Sequence, residues 1–242
     1  PYVKELNIIF DNYRNIEINK NVQFNLSNIN FKDVSFSYDK ELIFEKINFS
    51  IKKNTIFGIK GLSGSGKTTL VNLLLGFLKP QNGKILVDNT SIYQNLKKWQ
   101  ENIGYVPQKV FIADGTLEDN IAFGEDKEKI DKNHINKVFV MSKLEKSFAN
   151  LNVRVGELGN KISAGQIQRI GIARALYMKP KLLILDEATN NLDNETEEEI
   201  LNEIKELKKN LTVIIISHEK RIQKICDNFF NLDNLMHEEK NK

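Results

Sequence analysis

The stretch GLSGSGKTT at residues 61–69 matches the pattern G-x-x-x-x-G-K-[ST] at every fixed position. Residues 55–60 before it are rich in β-branched and aromatic side chains, which predicts a strand. After it, Leu70, Leu73, Leu74 and Phe77 fall on one face of a helix. The order of strand, glycine loop and helix favours a phosphate-binding loop over a Gly/Ser turn that matches by chance.

The residue types in this stretch suit a triphosphate. Gly61, Gly64 and Gly66 let the backbone curl so that its N–H groups form an anion-binding nest, and the following helix adds its positive end. In a loop of this type, Lys67 reaches the β- and γ-phosphates and the Thr68 hydroxyl binds Mg²⁺. The sequence therefore predicts a site for a nucleoside triphosphate with Mg²⁺.

The composition is that of an ordinary globular protein. The chain has 242 residues, 40% apolar and 28% charged, and a net charge of +3 that is too small to indicate a nucleic-acid partner. Cys226, the single cysteine, excludes an internal disulfide and is expected to pack rather than react. No apolar run of about 18 residues is present, so we expect no membrane span within the sequence. Because the chain begins with Pro1 rather than Met, we expect either an excised piece of a longer protein or a processed start.

Strand and helix patterns alternate along most of the chain. Continuous apolar runs predict strands buried on both faces at residues 181–186 and 212–216, and shorter patterns predict strands at 84–88, 104–108 and 229–232. Residues 194–209 predict a helix with an acidic start, and residues 115–178 have helical periodicity. Together these patterns predict an α/β fold with a parallel sheet at its core.

Three further regions are predicted around this core. Residues 23–60 predict antiparallel strands, with a bulge where the alternation changes phase at Lys32 and Asp33. Residues 1–22 are either a short amphipathic helix or a linker, and the charged tail at 234–242 is expected to be loose.

Several polar side chains follow the predicted strands at their carboxyl ends, where open parallel sheets bind ligands. Asp186 and Glu187 end the run LLILDE, so Asp186 is suited to the Mg²⁺ shell and Glu187 to polarising an attacking water. An acidic helix cap is the structural alternative. His218 and Gln108 follow two other strands and would reach the same edge, whereas a plain surface position is the alternative for each.

The stretch ISAGQ at residues 162–166 precedes a long predicted helix. A serine and a glycine at a helix start can bind an anion, and Ser163 can equally act as a simple helix cap. The periodicity does not indicate which phosphate such a site would serve.

Taken in order, these motifs make the chain resemble the nucleotide-binding domain of an ABC transporter, over about residues 29–233. Residues 61–68 resemble the Walker A motif, Gln108 the Q-loop, and residues 162–166 the signature motif. Residues 182–187 resemble the Walker B motif with its catalytic Glu, residues 190–193 the D-loop, and His218 the H-loop. Tyr38 lies at the position where the family stacks an aromatic ring on adenine. The alternation of residues along the predicted strand would equally fit a Tyr38 side chain that faces inward. The fold implied is a P-loop NTPase core with an N-terminal antiparallel β subdomain and a helical subdomain, at about 115–178, that carries the signature motif.

The resemblance implies roles for individual residues. Its catalytic residues are Glu187, His218, Gln108 and Lys67, and its metal contacts are Thr68, Gln108 and Asp186. The residues that it places on the nucleotide are Tyr38, Gly61, Ser63, Gly64, Ser65, Gly66, Lys67, Thr68, Thr69, Ser163, Gly165, Gln166 and Asp193.

Finer features resemble exporters. The stretch VGELG at residues 155–159 is similar to the exporter X-loop, and residues 120–124 and 171–177 are similar to half-transporters that flip lipid-linked saccharides. This likeness implies an ATPase domain at 23–242, a connector at 1–22, and a transmembrane domain on the same polypeptide. It also implies a head-to-tail homodimer formed with ATP, a location at the cytoplasmic face of the cell membrane, and no nucleic-acid partner.

The sequence departs from the family pattern at a few positions. Ala164 replaces the first glycine of the signature pair, Ile162 a leucine, and Leu158 an X-loop arginine. Asn190 and Asn191 replace the usual Ser-Ala of the D-loop. Since Glu187 and His218 are retained, hydrolysis is expected to be intact.

The sequence leaves two other functions possible. One is a soluble ABC ATPase that acts as a conformational switch in DNA repair or translation, although no coiled-coil insert or second such domain is present. The other is an ATP-binding domain without catalysis, which steady ATP turnover would exclude.

Overall fold

Strand β3 (Ile56–Lys60), which leads into the glycine loop, lies within a parallel sheet. The computed structural model describes residues 22–156, 162–189 and 192–238. The other strands are β1 (Asn28–Tyr38), β2 (Glu41–Lys52), β4 (Asn82–Val87), β5 (Thr90–Ser91), β6 (Ile103–Val106), β7 (Gly115–Thr116), β8 (Arg154–Val155), β9 (Leu182–Asp186), β10 (Thr212–Ile216) and β11 (Asn228–Asn231). The α-helices are α1 (Lys67–Leu75), α2 (Leu96–Gln100), α3 (Leu117–Ile121), α4 (Lys132–Met141), α5 (Ala164–Tyr177), α6 (Asn194–Leu207) and α7 (Asp233–Glu238).

The strands form three sheets. The parallel sheet has the order β11-β3-β10-β9-β6, and an antiparallel sheet has the order β2-β1-β4-β5. A short antiparallel pair, β7 with β8, lies beside the helices between residues 115 and 178. The predicted fold class, a parallel α/β core with an antiparallel β subdomain and helices, is confirmed.

The central strands are buried on both faces because two hydrophobic clusters cover the parallel sheet. Leu183 and Leu185 of β9 belong to the cluster that contains α3, α4 and α5, whereas Leu182 and Ile184 belong to the cluster that contains α1 and the antiparallel sheet. This explains the continuous apolar sequence of β9 and β10, since neither face of these strands meets water.

The predicted bulge in β1 is confirmed. The register of β1 against β2 shifts between Phe31 and Val34, and Asp33 has a φ of 48°. The Asp33 N–H donates to Asn48 Oδ1 over 2.9 Å, so a side chain satisfies the donor that the bulge leaves out of the ladder.

One prediction about helix α1 is wrong. Helix α1 ends at Leu75 because Gly76 adopts a left-handed conformation, with a φ of 77°, so Phe77 lies beyond the helix and is 61% exposed. The predicted apolar period therefore runs past the residue where the helix ends.

The prediction of a loose tail is wrong for residues 234–238. These residues belong to α7, which follows edge strand β11 directly, and Leu232 at their junction is fully buried. The predicted connector at residues 1–22 lies outside the described residues, apart from its last residue.

Cys226 packs as predicted. Its Sγ atom would lie 2.9 Å from a Cβ added at Gly58 of β3, so the two residues are in close contact. Burial raises the pKa of the Cys226 thiol to about 12, which keeps it protonated and unreactive at neutral pH.

Candidate active site

The glycine loop between β3 and α1 requires its glycines. Gly64 and Gly66 have φ angles of 82° and 90°, a region that residues with a side chain rarely adopt. A Cβ at Gly66 would also lie 2.8 Å from the Phe44 ring and 2.9 Å from Ile43, both in β2. The loop therefore curls tightly against the antiparallel sheet at the start of α1.

Lys67 crosses this loop. Its Nζ atom donates to the carbonyl oxygens of Gly61 and Leu62, each over 2.9 Å, and lies 3.5 Å from Oε1 of Glu187. The Lys67 side chain is only 10% exposed. A single ammonium group is thus held at the mouth of the loop, facing the carboxyl end of β9.

The parallel register brings the predicted polar residues together at one edge of the sheet. Glu187 accepts a hydrogen bond from Gln108 Nε2 over 2.8 Å, and its Oε1 lies 3.8 Å from His218 Nδ1. The Glu187 backbone has a φ of 49°, and its N–H donates to the Ile216 carbonyl at the end of β10 over 2.9 Å. Lys67, Gln108, Glu187 and His218 therefore converge, although Lys67 begins helix α1 and the other three follow strands β6, β9 and β10.

The acidic-cap alternative for Asp186 and Glu187 is wrong. Asp186 is the last residue of β9, and the next helix, α6, begins only at Asn194 with Asp193 as its cap. Gln108 is exposed, as the surface alternative predicts, and its side chain also donates to Glu187 over 2.8 Å.

An open cleft of about 450 Å³ lies over the loop and the strand ends. The described residues that line it are Ile43, Ser63, Gly64, Gly66, Lys67, Thr68, Thr69, Gln108, Asp186 and Glu187. Within the described part of the chain, Tyr38 and His218 are not in this lining. The Tyr38 side chain is 44% exposed and lies edge-on to Phe36, with ring centroids 4.9 Å apart, so the inward-facing alternative for Tyr38 is wrong.

Tyr105 is a site residue that the sequence analysis missed. Its hydroxyl donates to Asp186 Oδ2 over 3.0 Å from the neighbouring strand β6. Burial raises the pKa of the Asp186 carboxyl, while the hydrogen bond from Tyr105 opposes that rise. Burial and the Asp186 charge also raise the pKa of Tyr105, so its hydroxyl remains a donor. In the sequence, only its position could have pointed to Tyr105. It lies in β6 next to the buried Val106 and three residues before Gln108.

The chemistry of this cleft fits a triphosphate and a magnesium ion. The loop supplies a glycine cradle, Lys67 a cation, and the exposed Thr68 a hydroxyl, while Asp186 supplies one carboxylate beside them. Within residues 22–156, 162–189 and 192–238, no three His, Cys, Asp or Glu side chains group as an all-protein metal site. That composition suits Mg²⁺, which is usually held by one or two carboxylates together with phosphate oxygens and waters.

The predicted signature and D-loop residues form a separate group. Ser163 caps α5 in a capping box, since its Oγ accepts from Gln166 N–H over 3.2 Å and Gln166 Oε1 accepts from Ser163 N–H over 2.9 Å. Asp193 caps α6 by accepting from Thr196, and a Cβ at Gly165 would lie 2.6 Å from Thr196 Cγ2. None of these described side chains lines the cleft beside Lys67. Leu158, Asn190 and Asn191 lie outside the described residues.

The fold and the cleft together define an ATP-binding domain of the P-loop class. The chain belongs to the ABC transporter family, whose family model, described as "ABC transporter", matches residues 44–190. The resemblance predicted from the motifs is therefore confirmed, and the chain is an ATPase domain.

Known relatives are longer than this chain. A "Putative export ATP-binding/permease protein" of Rickettsia bellii is 37% identical over 231 residues, covering 93% of this chain and 39% of that protein. A "Multidrug resistance ABC transporter ATP-binding and permease protein" of Lactococcus lactis is 38% identical over 201 residues, covering 81% of this chain and 34% of that protein. The chain thus spans between a third and two fifths of these relatives.

A solved structure has the same fold. It is that of a bacterial Atm1-family ABC exporter with ATP bound, at 29% identity and a TM-score of 0.79, covering 96% of this chain and 42% of that one. In the described ranges of our chain, no helix is long and apolar enough to cross a membrane.

Proposed function

We propose that this chain is the ATP-hydrolysing motor domain of an ABC exporter, which drives a substrate across a membrane. The observation that carries the proposal is the convergence of Lys67 and Gln108 on Glu187 beside the glycine loop, at 3.5 Å and 2.8 Å from its two carboxylate oxygens. The Rickettsia and Lactococcus relatives are, by name, export and multidrug resistance proteins. Neither name refers to DNA repair or translation.

The cleft residues divide into phosphate and metal contacts. Lys67 and the backbone of the glycine loop, with Ser63, Ser65 and Thr69, would hold the phosphates. Thr68, Gln108 and Asp186 would hold Mg²⁺, with Asp186 oriented by Tyr105. Bound Mg-ATP supplies the electrophilic γ-phosphorus and ADP as the leaving group.

Glu187 is the proposed general base. Its carboxylate is 17% exposed and faces the cleft, so it can accept a proton from an attacking water. Gln108 donates to one of its oxygens and Lys67 lies beside the other, which fixes the carboxylate in the cleft. His218, whose Nδ1 lies 3.8 Å from Glu187 Oε1, would contact the terminal phosphate.

An exposed aromatic patch supports contact with a permease domain. Phe111 and Phe123 are 52% and 51% exposed and lie edge-on, with ring centroids 6.5 Å apart. Arg174 of α5 lies 4.9 Å from the Phe123 ring and donates to the Phe111 carbonyl over 3.0 Å. Exposed apolar surface of this kind marks interaction sites, and this patch begins three residues after Gln108. We propose that this patch contacts the transmembrane domain. The ATPase domain would then lie at the cytoplasmic face of the membrane, with residues 1–22 as the connector.

The separation of the signature residues from the cleft supports a head-to-tail dimer. Ser163, Gly165, Gln166 and Asp193 of one copy would complete the ATP site of a second copy. Because Ser163 and Gly165 would contact the γ-phosphate and not ADP, binding of the triphosphate favours the dimer by mass action.

Size-exclusion chromatography tests this assembly. We expect the Glu187→Gln variant with Mg-ATP to elute as a dimer, and wild-type protein with ADP as a monomer. Adding Ser163→Arg should return the variant to a monomer, whereas Ser147→Arg, at an exposed serine in the same helical region, should leave the dimer intact. A Glu187→Gln protein that binds Mg-ATP but stays monomeric at all concentrations would contradict the proposed dimer.

Tyr38 is proposed to stack on the adenine ring. Its side chain at the end of β1 is 44% exposed and so accessible to a ligand, and Tyr38→Ala should weaken ATP binding by about 0.5–1.5 kcal/mol. Calorimetric titration measures the effect, and Phe77→Ala, which removes another exposed aromatic ring, is the matched control. Equal binding of ATP and ribose triphosphate by the wild type would show that Tyr38 makes no stack.

The transported substrate is set by the membrane domain. The names of the two relatives do not specify a saccharide, so the narrower resemblance to lipid-linked saccharide flippases stays a prediction.

Steady Mg-dependent ATP turnover by the purified chain separates the proposed motor from a domain that only binds ATP.

A further inference from the structure

The segment that follows β10 contacts both ends of strand β3. At the start of the strand, Asp227 Oδ2 accepts from the Ile56 N–H over 2.8 Å. Just beyond its end, Asp233 Oδ1 accepts from the Leu62 N–H, also over 2.8 Å. Strand β11 lies between the two aspartates and pairs with β3 along its length. The entrance to the glycine loop is therefore held by residues from the last part of the described chain.

The Leu62 N–H and the Gly61 carbonyl belong to the same peptide group. On one side this peptide donates to the Asp233 carboxylate, and on the other its oxygen accepts from the Lys67 ammonium over 2.9 Å. Hydrogen bonds at the two ends of one amide polarise it in the same sense and strengthen each other. Both bonds involve a charged group, which makes them stronger than neutral ones.

Close packing fixes the same peptide. A Cβ at Gly61 would lie 3.1 Å from Leu232 Cβ and 2.2 Å from Ser65 Oγ, so only glycine fits between them. Leu232 is fully buried, and its N–H donates to the Lys60 carbonyl over 2.8 Å. The residue before Asp233 is thus seated directly on the start of the loop.

We propose that Asp233 is a positioning residue of the nucleotide site, which orients the Gly61–Leu62 peptide and, through it, Lys67. Asp233 lies outside every motif that the sequence analysis identified. The proposal rests on the proposed function, because it takes Lys67 to be the cation that binds the phosphates.

The test compares Asp233 with Asp227, since each accepts a backbone N–H at one end of β3. Isothermal titration with ATP should show about tenfold weaker binding by Asp233→Ala, because a charged acceptor is lost. Asp233→Asn keeps a neutral oxygen and should recover part of the affinity, to within about threefold of wild type. Asp227→Ala should lower the urea midpoint yet leave the ATP affinity unchanged.

Amide exchange in the nucleotide-free protein is a second measurement. The Leu62 amide should exchange faster in Asp233→Ala than in wild type and Asp227→Ala. Wild-type ATP affinity or unchanged Leu62 exchange in Asp233→Ala would overturn the proposal, as would an equal loss of affinity in Asp227→Ala. If Asp233→Ala does not fold, wild-type affinity and Leu62 exchange in Asp233→Asn would overturn it.

The two proposals fail in different ways. If wild-type protein does not bind ATP, or Lys67→Ala binds it normally, the proposed function of the cleft is wrong. If Lys67→Ala loses binding and Asp233→Ala does not, only the role of Asp233 is wrong.

Discussion

Glu187→Gln is expected to lower the rate of ATP hydrolysis by about 10²–10⁴-fold, the usual contribution of a general base. The amide has the size of the carboxylate and keeps a hydrogen-bonding oxygen, but it cannot take a proton from water. ATP binding should persist, because the glycine loop and Lys67 are unchanged. Steady-state phosphate release measures the rate, and calorimetric titration of the variant measures the affinity.

The position of Glu187 explains why a single substitution should have so large an effect. Its left-handed backbone, with a φ of 49°, is held by the hydrogen bond from its N–H to the Ile216 carbonyl at the end of β10. Gln108 and Lys67 then hold its two oxygens toward the cleft. Strained backbone of this kind often occurs at functional sites.

A matched control separates this effect from a general loss of charge. Glu128→Gln removes an exposed carboxylate from the short helix Lys127–Lys129, which does not line the described cleft, and should hydrolyse ATP at the wild-type rate. Hydrolysis by Glu187→Gln at the wild-type rate would show that Glu187 is not the base, and the proposed mechanism would then be wrong.

Lys67→Ala is expected to abolish tight ATP binding, with an affinity about 100-fold or more below that of wild type. The substitution removes the one cation that lines the described part of the cleft, and charge-assisted hydrogen bonds are the strong ones. The ammonium is already held by the carbonyls of Gly61 and Leu62, so little side-chain freedom remains to be lost when a phosphate binds.

Calorimetric titration with Mg-ATP measures this loss. Lys129→Ala, which removes a lysine whose side chain is 70% exposed, should leave the affinity unchanged and so exclude a simple effect of net charge. An unchanged ATP affinity in Lys67→Ala would contradict the assignment of the cleft as a triphosphate site.

The two variants should also differ from each other. Glu187→Gln keeps binding and loses turnover, whereas Lys67→Ala loses binding first. Loss of both properties in both variants, together with a lowered unfolding midpoint, would indicate damage to the fold instead of two separate roles.

The sequence by itself determined the features that depend on neighbouring residues. The glycine loop, Lys67 and Thr68 lie within nine consecutive positions, and the left-handed angles of Gly64 and Gly66 are local requirements of that loop. The strands β9 and β10 were predictable because burial on both faces requires an unbroken apolar run. The family followed from the order of these local motifs along the chain.

Local patterns failed where an element ends. The apolar period of α1 ran on to Phe77, but a left-handed glycine at position 76 stops the helix before it. The charged composition of the tail predicted a loose end, yet helix α7 begins at Asp233 because Leu232 is buried against the start of the loop.

Only the tertiary structure decided which side chains meet. The contact from Gln108 to Glu187 joins residues 79 positions apart, and the hydrogen bond from Tyr105 to Asp186 joins residues 81 apart. Asp233 reaches Leu62 across 171 positions. These pairs depend on which strands are neighbours and on their parallel register, which the packing of the whole sheet sets, and no local pattern of residues specifies that order.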